Sequence, residues 1–201
     1  MAKFTPMDCA KAVEQSYKGR ISNQKRSMLG PHGAEAYLRK DGLLVIPGSQ
    51  GLDDYLKFNL RVGYFKLFGK NSKLRFHAGF MRHASEIIEW ARNQNVKLIT
   101  GHSLGAASAQ LIGATLNKDV ICFAAPKVLS RGFKEVTSAK IVCINRRDDR
   151  VCRLPGWRFK HMGNVVEMKA KGRIGMDHSM KHYKTAMAEK SVKDASPIRF
   201  T

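Results

Sequence analysis

The residues best suited to do chemistry are Gly101-His102-Ser103-Leu104-Gly105, a serine with a glycine two positions away on either side. An apolar run precedes them and a helix-forming run follows, which places Ser103 on a tight strand-to-helix turn where larger side chains than glycine would collide. The hydroxyl on such a turn is exposed, and the Leu104 N–H can donate to the oxyanion that forms when Ser103 attacks a carbonyl. A serine that merely caps the helix would leave both glycines unexplained. The spacing predicts acyl transfer, with Ser103 as nucleophile.

A serine nucleophile needs a base to take its proton and an acid to orient that base. The candidates for the base are the seven histidines of the chain: His32, His77, His83, His102, His161, His178 and His182. Residue type alone leaves the choice among them open.

Short apolar runs predict the strands that position these groups, at 43–46, 96–100, 120–124 and 139–144. Helical patterns at 83–93 and 104–116 alternate with these strands, and such alternation predicts a mostly parallel central sheet flanked by helices. With 201 residues, the chain fits one α/β domain.

Two segments depart from this alternation of strands and helices. Residues 1–40 hold a helical stretch at 8–17 and are interpreted as an N-terminal helical extension. Residues 51–75 mix aromatic and aliphatic side chains with Lys and Arg, which indicates a basic, amphipathic insertion.

At this point the sequence resembles a known family, the class 3 lipases, which includes triacylglycerol lipases and phospholipases A1. The resemblance covers about residues 43–183 in the order of the family and implies an α/β-hydrolase fold with a short lid. The similar motifs are Ile46-Pro47-Gly48-Ser49, Asp54-Tyr55, Asn59-Leu60, His77-Ala78-Gly79-Phe80, Gly-His-Ser-Leu-Gly-Ala at 101–106, 123–128, 149–155 and 159–163.

The resemblance implies a triad in the chain order Ser, Asp, His. Counting back from Leu154-Pro155 selects Asp149, which we take as the acid, whereas counting forward from Asn145 selects Asp148, which remains the alternative. For the base, Asp177-His178-Ser179 followed by Tyr183 resembles the family's form, which selects His178 and keeps His182 as the alternative.

The resemblance also assigns the second oxyanion donor to Ser49, which acts beside Leu104. This chain departs from the family at Pro47, where many members have Arg, so the approach to this turn differs. The lid falls at 51–60, where substrate contacts are assigned to Leu52, Tyr55 and Leu56.

The activity implied is hydrolysis of lipid carboxylic esters through an acyl-enzyme, as a lipase or phospholipase, with no metal or organic cofactor. Two alternatives remain. The chain is a catalytically weak hydrolase-fold protein that binds polyanions, or it is an esterase or thioesterase acting on a non-lipid acyl donor.

The charge balance bears on partners, because 36 Lys and Arg against 16 Asp and Glu give a formal charge of +20. Such a field attracts an anionic membrane surface or nucleic acid. Nucleic acid is disfavoured because the basic residues are dispersed without interleaved aromatic side chains.

The four cysteines are widely spread along the sequence, at Cys9, Cys122, Cys143 and Cys152. This spacing favours free thiols.

The sequence shows no apolar run of membrane-spanning length and no signal-peptide core near its start. The expected location is therefore cytoplasmic, with peripheral membrane association.

Overall fold

A central sheet of seven strands organises the computed structural model, which describes residues 4–49, 62–66, 73–132, 137–169 and 178–188. For 62–66 and 73–75 the description covers the backbone alone. The sheet has the order β1-β2-β3-β6-β7-β9-β11. Its strands are β1 (Gln24–Leu29), β2 (Glu35–Arg39), β3 (Leu43–Ile46), β6 (Leu98–His102), β7 (Asp119–Phe123), β9 (Ile141–Arg146) and β11 (Asn164–Met168).

The strands from β3 to β11 are parallel, and β3, β6 and the greater part of β7 are completely buried. Leu44 lies opposite Ile99 on β6, and Ile99 lies opposite Val120 on β7. Continuous apolar runs suit such strands because both faces of a parallel sheet are covered by helices. The predicted α/β-hydrolase fold with a mostly parallel sheet is confirmed.

Helices cover the two faces in pairs: α1 (Pro6–Ser16), α2 (Ala78–Ala91), α3 (Leu104–Leu116) and α4 (Met180–Ala188). One core cluster packs Leu44 and Ile46 of β3 with residues of α2 and α3. The other packs Leu43 and Val45 with residues of α1 and α4. Alternate side chains of β3 therefore point to opposite faces of the sheet and pack into two separate cores.

The N-terminal segment contains the predicted helix and, in addition, a hairpin that the sequence analysis did not predict. Thr5 caps α1 in a capping box, since its side chain accepts from the Asp8 N–H and the Asp8 carboxylate accepts from the Thr5 N–H. The strands β1 and β2 pair antiparallel and continue the central sheet through β3. The β1 strand escaped prediction because it is an exposed edge strand with almost no buried side chain.

A smaller antiparallel sheet has the order β10-β8-β5-β4. Its strands are β4 (Val62–Lys66), β5 (Lys73–His77), β8 (Leu129–Ser130) and β10 (Phe159–Lys160). The antiparallel pair of β4 and β5 starts within the 51–75 insertion, and β5 continues two residues beyond it to His77. The predicted lid residues Leu52, Tyr55 and Leu56 lie outside the described residues.

All four cysteines are buried free thiols, as expected. Among the described helices, none combines the length and apolar character required to cross a membrane.

Candidate functional site

Ser103 stands on the turn that joins β6 to α3, in the unusual backbone conformation φ 60°, ψ −122°. A Cβ on Gly101 would lie 2.4 Å from the carbonyl oxygen of Gly105, and a Cβ on Gly105 would lie 2.2 Å from that of Ile46. Both distances are well inside van der Waals contact, so neither position accepts a side chain. The turn thus requires both glycines and holds Ser103 in a conformation that a non-glycine residue rarely adopts.

The structure brings the three predicted triad residues together. The Ser103 Oγ lies 2.6 Å from His178 Nε2, and His178 Nδ1 lies 2.8 Å from Asp149 Oδ2. The Asp149 carboxylate can only accept at neutral pH, so Nδ1 carries the proton and Nε2 presents its lone pair to the serine. This arrangement is the one that a serine nucleophile with an oriented base requires.

Asp149 is held as a carboxylate by its surroundings. Burial raises its pKa, but hydrogen bonds from His178, the Tyr183 hydroxyl and the Val151 N–H outweigh burial and lower the pKa below the ordinary 3.8. The Tyr183 Oη lies 2.8 Å from Oδ2, and the Val151 nitrogen lies 3.0 Å from Oδ1. Both oxygens are therefore fixed in position as well as in charge.

The two alternatives left open by the sequence are placed differently. Asp148 forms a buried two-bond ion pair with Arg146, at 3.0 and 2.6 Å, and faces the guanidinium instead of an imidazole. His182 is the third residue of α4, and the imidazole that contacts the Ser103 hydroxyl belongs to His178, which precedes that helix. His161 hydrogen-bonds the carbonyl of Ala125.

The predicted oxyanion donors border one groove of about 360 Å³ beside the nucleophile. Leu104 is the first residue of α3, where the N–H has no partner within the helix and the helix dipole favours an anion. A Cβ on Gly48 would lie 2.8 Å from the Ser103 Cβ, so this turn can pack against the nucleophile only as glycine. Ser49 borders the same groove, and its donor role stays a prediction.

A hydrogen-bonded chain that the sequence analysis missed links this turn to the base. The Gly48 N–H donates to Tyr17 Oη at 3.0 Å, Tyr17 Oη lies 2.6 Å from His102 Nδ1, and His102 Nε2 lies 2.7 Å from the carbonyl oxygen of His178. A carbonyl only accepts, so His102 Nε2 carries the proton and Nδ1 accepts from Tyr17. Every donor in the chain is therefore matched to an acceptor.

Within this row of hydrogen bonds His102 is neutral, because burial and the nearby His178 lower its pKa to about 3. Burial likewise raises the pKa of Tyr17 to about 12, so its hydroxyl keeps its proton. Neither role carried a sequence signal: Tyr17 is 85 residues from His102 in the chain, and His102 is indistinguishable by type from the other six histidines.

Comparison with protein families gives a match to the class 3 lipase family over residues 44–159, more than half of the chain. His178 and Tyr17 lie outside the matched range. No curated protein matches the chain in sequence.

Solved structures of several lipases share the fold. A Rhizomucor miehei lipase–propeptide complex is 17% identical, with 80% of this chain and 64% of that chain covered and a TM-score of 0.59. Lipase II from Rhizopus niveus is 18% identical, with coverages of 84% and 79% and a TM-score of 0.61. A triacylglycerol lipase described as having a serine protease triad is 17% identical, with coverages of 81% and 77% and a TM-score of 0.59. This chain spans less than two thirds of the Rhizomucor protein.

Proposed function

The chain belongs to the class 3 lipase family, and from this we propose that it is a serine hydrolase that cleaves carboxylic esters of lipids through an acyl-enzyme. The observation that carries the proposal is the hydrogen-bonded line Ser103–His178–Asp149, with Ser103 on a strained turn at the start of a helix. A protein that only bound polyanions would have no use for this line. The matched lipase with a serine protease triad supports the same reading.

The reaction follows from the geometry. His178 Nε2 takes the proton of Ser103 as Oγ bonds to the ester carbonyl carbon, and the carbonyl electron pair moves onto its oxygen. The imidazolium, stabilised by Asp149, then gives the proton to the leaving alcohol oxygen as the C–O bond breaks. Water repeats the two steps on the acyl-enzyme and releases the free acid and Ser103.

The oxyanion is stabilised by the Leu104 N–H at the start of α3 and, in this proposal, by Ser49 across the groove. A donor aimed at the developing charge contributes on the order of 3 kcal/mol to transition-state stabilisation. The Gly48 N–H is not available for this task because it already donates to Tyr17.

The substrate class rests on the family and on charge. A chain with a formal charge of +20 is attracted to an anionic bilayer, and each basic group near such a surface contributes about 1 kcal/mol. We therefore propose that the esters hydrolysed are those of lipids presented at an anionic membrane surface.

The proposal is tested with a substrate panel on the full chain, with Ser103→Ala as the blank. The panel contains short p-nitrophenyl esters, a thioester, a peptide amide, and phospholipid in anionic and in neutral vesicles. We expect hydrolysis of the esters, with faster turnover of anionic than neutral vesicles and a difference that shrinks in high salt. Labelling of Ser103 by a fluorophosphonate should accompany it. Absence of both labelling and ester turnover would contradict the proposal, and turnover of the thioester alone would replace the lipid substrate.

Tyr17→Phe tests the chain that positions the base. The variant leaves the Gly48 N–H and His102 Nδ1 without their partner, so the turn beside Ser103 loses a fixed contact and the imidazole that bonds the His178 carbonyl loses the hydroxyl that orients it. We expect kcat to fall about tenfold with KM little changed, and the free energy of unfolding to fall by about 1–3 kcal/mol. Steady-state kinetics and urea denaturation measure the two effects. A stability loss with an unaltered kcat would assign Tyr17 a purely structural role.

A further inference from the structure

Trp157 is the most exposed aromatic side chain among the described residues, with 78% of its surface accessible. Burying an indole is favourable, so this side chain offers a large apolar surface for contact with a partner. It directly follows a turn in which the Gly156 N–H donates to the Arg153 carbonyl oxygen at 3.0 Å. The indole thus projects from a defined turn.

That turn is fixed to the body of the protein by backbone hydrogen bonds. The Lys127 N–H donates to the Leu154 carbonyl at 2.8 Å, and the Arg131 N–H donates to the Arg158 carbonyl at 3.0 Å. Between them, β8 pairs with β10. The segments 127–131 and 153–160 therefore form one platform that presents the indole.

The platform is strongly basic. It contains Lys127, Arg131, Arg153, Arg158 and Lys160, and neither segment contains an acidic residue. Partial burial, together with Arg131 and Arg153 nearby, lowers the pKa of Lys127, which is the behaviour of cations crowded on one face. The arginines at 131, 153 and 158 are exposed and face solvent.

The platform begins at the same edge of the central sheet as the triad. Ser103 follows the carboxyl end of β6, and Asp149 follows the carboxyl end of β9. The short 3₁₀ helix Arg150–Arg153 continues directly from Asp149 into the turn before Trp157. Carboxyl ends of parallel strands share one edge, so the segment that leads into the platform starts at the edge of the sheet where Ser103 lies.

We propose that the Trp157 platform, residues 127–131 and 153–160, is a docking face for an anionic phospholipid bilayer. The indole enters the interface between headgroups and acyl chains, where tryptophan is favoured, while the surrounding Arg and Lys contact lipid phosphates. The inference deepens the proposed function, since it names the surface that brings the site to its substrate, but docking itself needs no catalysis.

The test measures binding of the full chain, in a Ser103→Ala background that leaves the lipid intact, to vesicles of pure phosphatidylcholine or of phosphatidylcholine with phosphatidylglycerol. We expect sedimentation with the anionic vesicles, a blue shift of tryptophan emission, and loss of binding in high salt. Trp157→Ala should weaken partitioning about tenfold or more. Arg131→Gln with Arg158→Gln should weaken it by about 10- to 30-fold.

Matched controls lie on β1, an edge strand of the central sheet, whereas the platform strands β8 and β10 belong to the smaller sheet. Leu29→Ala removes an apolar side chain that is 79% exposed, and Lys25→Gln with Arg26→Gln removes two exposed charges. These variants should keep most of the binding. A Lys25, Arg26 pair as damaging as the platform pair would show that net charge alone drives binding.

Vesicle binding that is equally strong for Trp157→Ala and Leu29→Ala would overturn the proposal. Binding to a duplex oligonucleotide, with none to the vesicles, would overturn it as well. Failure of the proposed function would appear separately, as a native Ser103 protein that docks to vesicles and hydrolyses nothing.

Discussion

Ser103→Ala should lower kcat for ester hydrolysis by roughly five to six orders of magnitude, because the reaction loses its nucleophile and the base has nothing to activate. The substitution keeps the Cβ and therefore introduces no new contact at this crowded turn. It removes one hydrogen bond to His178, so the free energy of unfolding should change by only about 1 kcal/mol. Steady-state assays with a p-nitrophenyl ester, alongside thermal denaturation, measure both quantities.

Ser85→Ala is the matched control for this variant. Among the described residues, the Ser85 hydroxyl bonds the carbonyl of Met81 within α2, at 2.7 Å, and no member of the triad, so its loss should leave kcat and fluorophosphonate labelling intact. A Ser103→Ala protein that remained folded and retained kcat within tenfold of the native value would place the nucleophile elsewhere.

Asp149→Asn should lower kcat by about 10⁴-fold while the protein stays folded. An asparagine amide can donate to His178 Nδ1, which then holds the lone pair and leaves Nε2 carrying the proton that faces Ser103. The base is lost although every ring stays in place. The measurement is kcat per folded molecule, with the folded fraction taken from circular dichroism.

Asp148→Asn separates the two adjacent carboxylates. Its partner is Arg146, not His178, so the variant should lose stability by up to about 3–5 kcal/mol yet keep kcat per folded molecule within about tenfold. Reversed kinetic results, with Asp148→Asn inactive and Asp149→Asn active, would transfer the acid role to Asp148.

The elements that the sequence predicted well are those in which burial is continuous. Leu43–Ile46, β7 and β9 are recognisable as continuous apolar runs because both faces of each strand are covered. The prediction for β6 was 96–100, whereas the strand is Leu98–His102, because its ladder with β3 and β7 continues into the glycine turn after the apolar run has ended. Likewise α2 begins at Ala78, well before the predicted residue 83.

What the sequence could not supply depends on distant partners. The Ser103 turn is local, so its glycines mark it. The resemblance favoured Asp149 but kept Asp148 as the alternative, and only the position of an imidazole 29 residues away separates the two carboxylates. Tyr17 reads as an ordinary last-turn residue until the fold sets it against Gly48 and His102. The exposed β1 strand lacks a hydrophobic pattern that would identify it in the sequence, and it forms by antiparallel pairing with β2.

The pairing of α1 with α4 has a consequence for synthesis. Residues from these two helices share one core, and Lys184 of α4 bonds Glu14 of α1. On the ribosome, α1 emerges first and has to wait for α4, which follows the base His178. A nascent chain therefore carries Ser103 through the synthesis of the next 75 residues without the imidazole that contacts its hydroxyl, and the proposed triad is complete only once α4 has packed against α1.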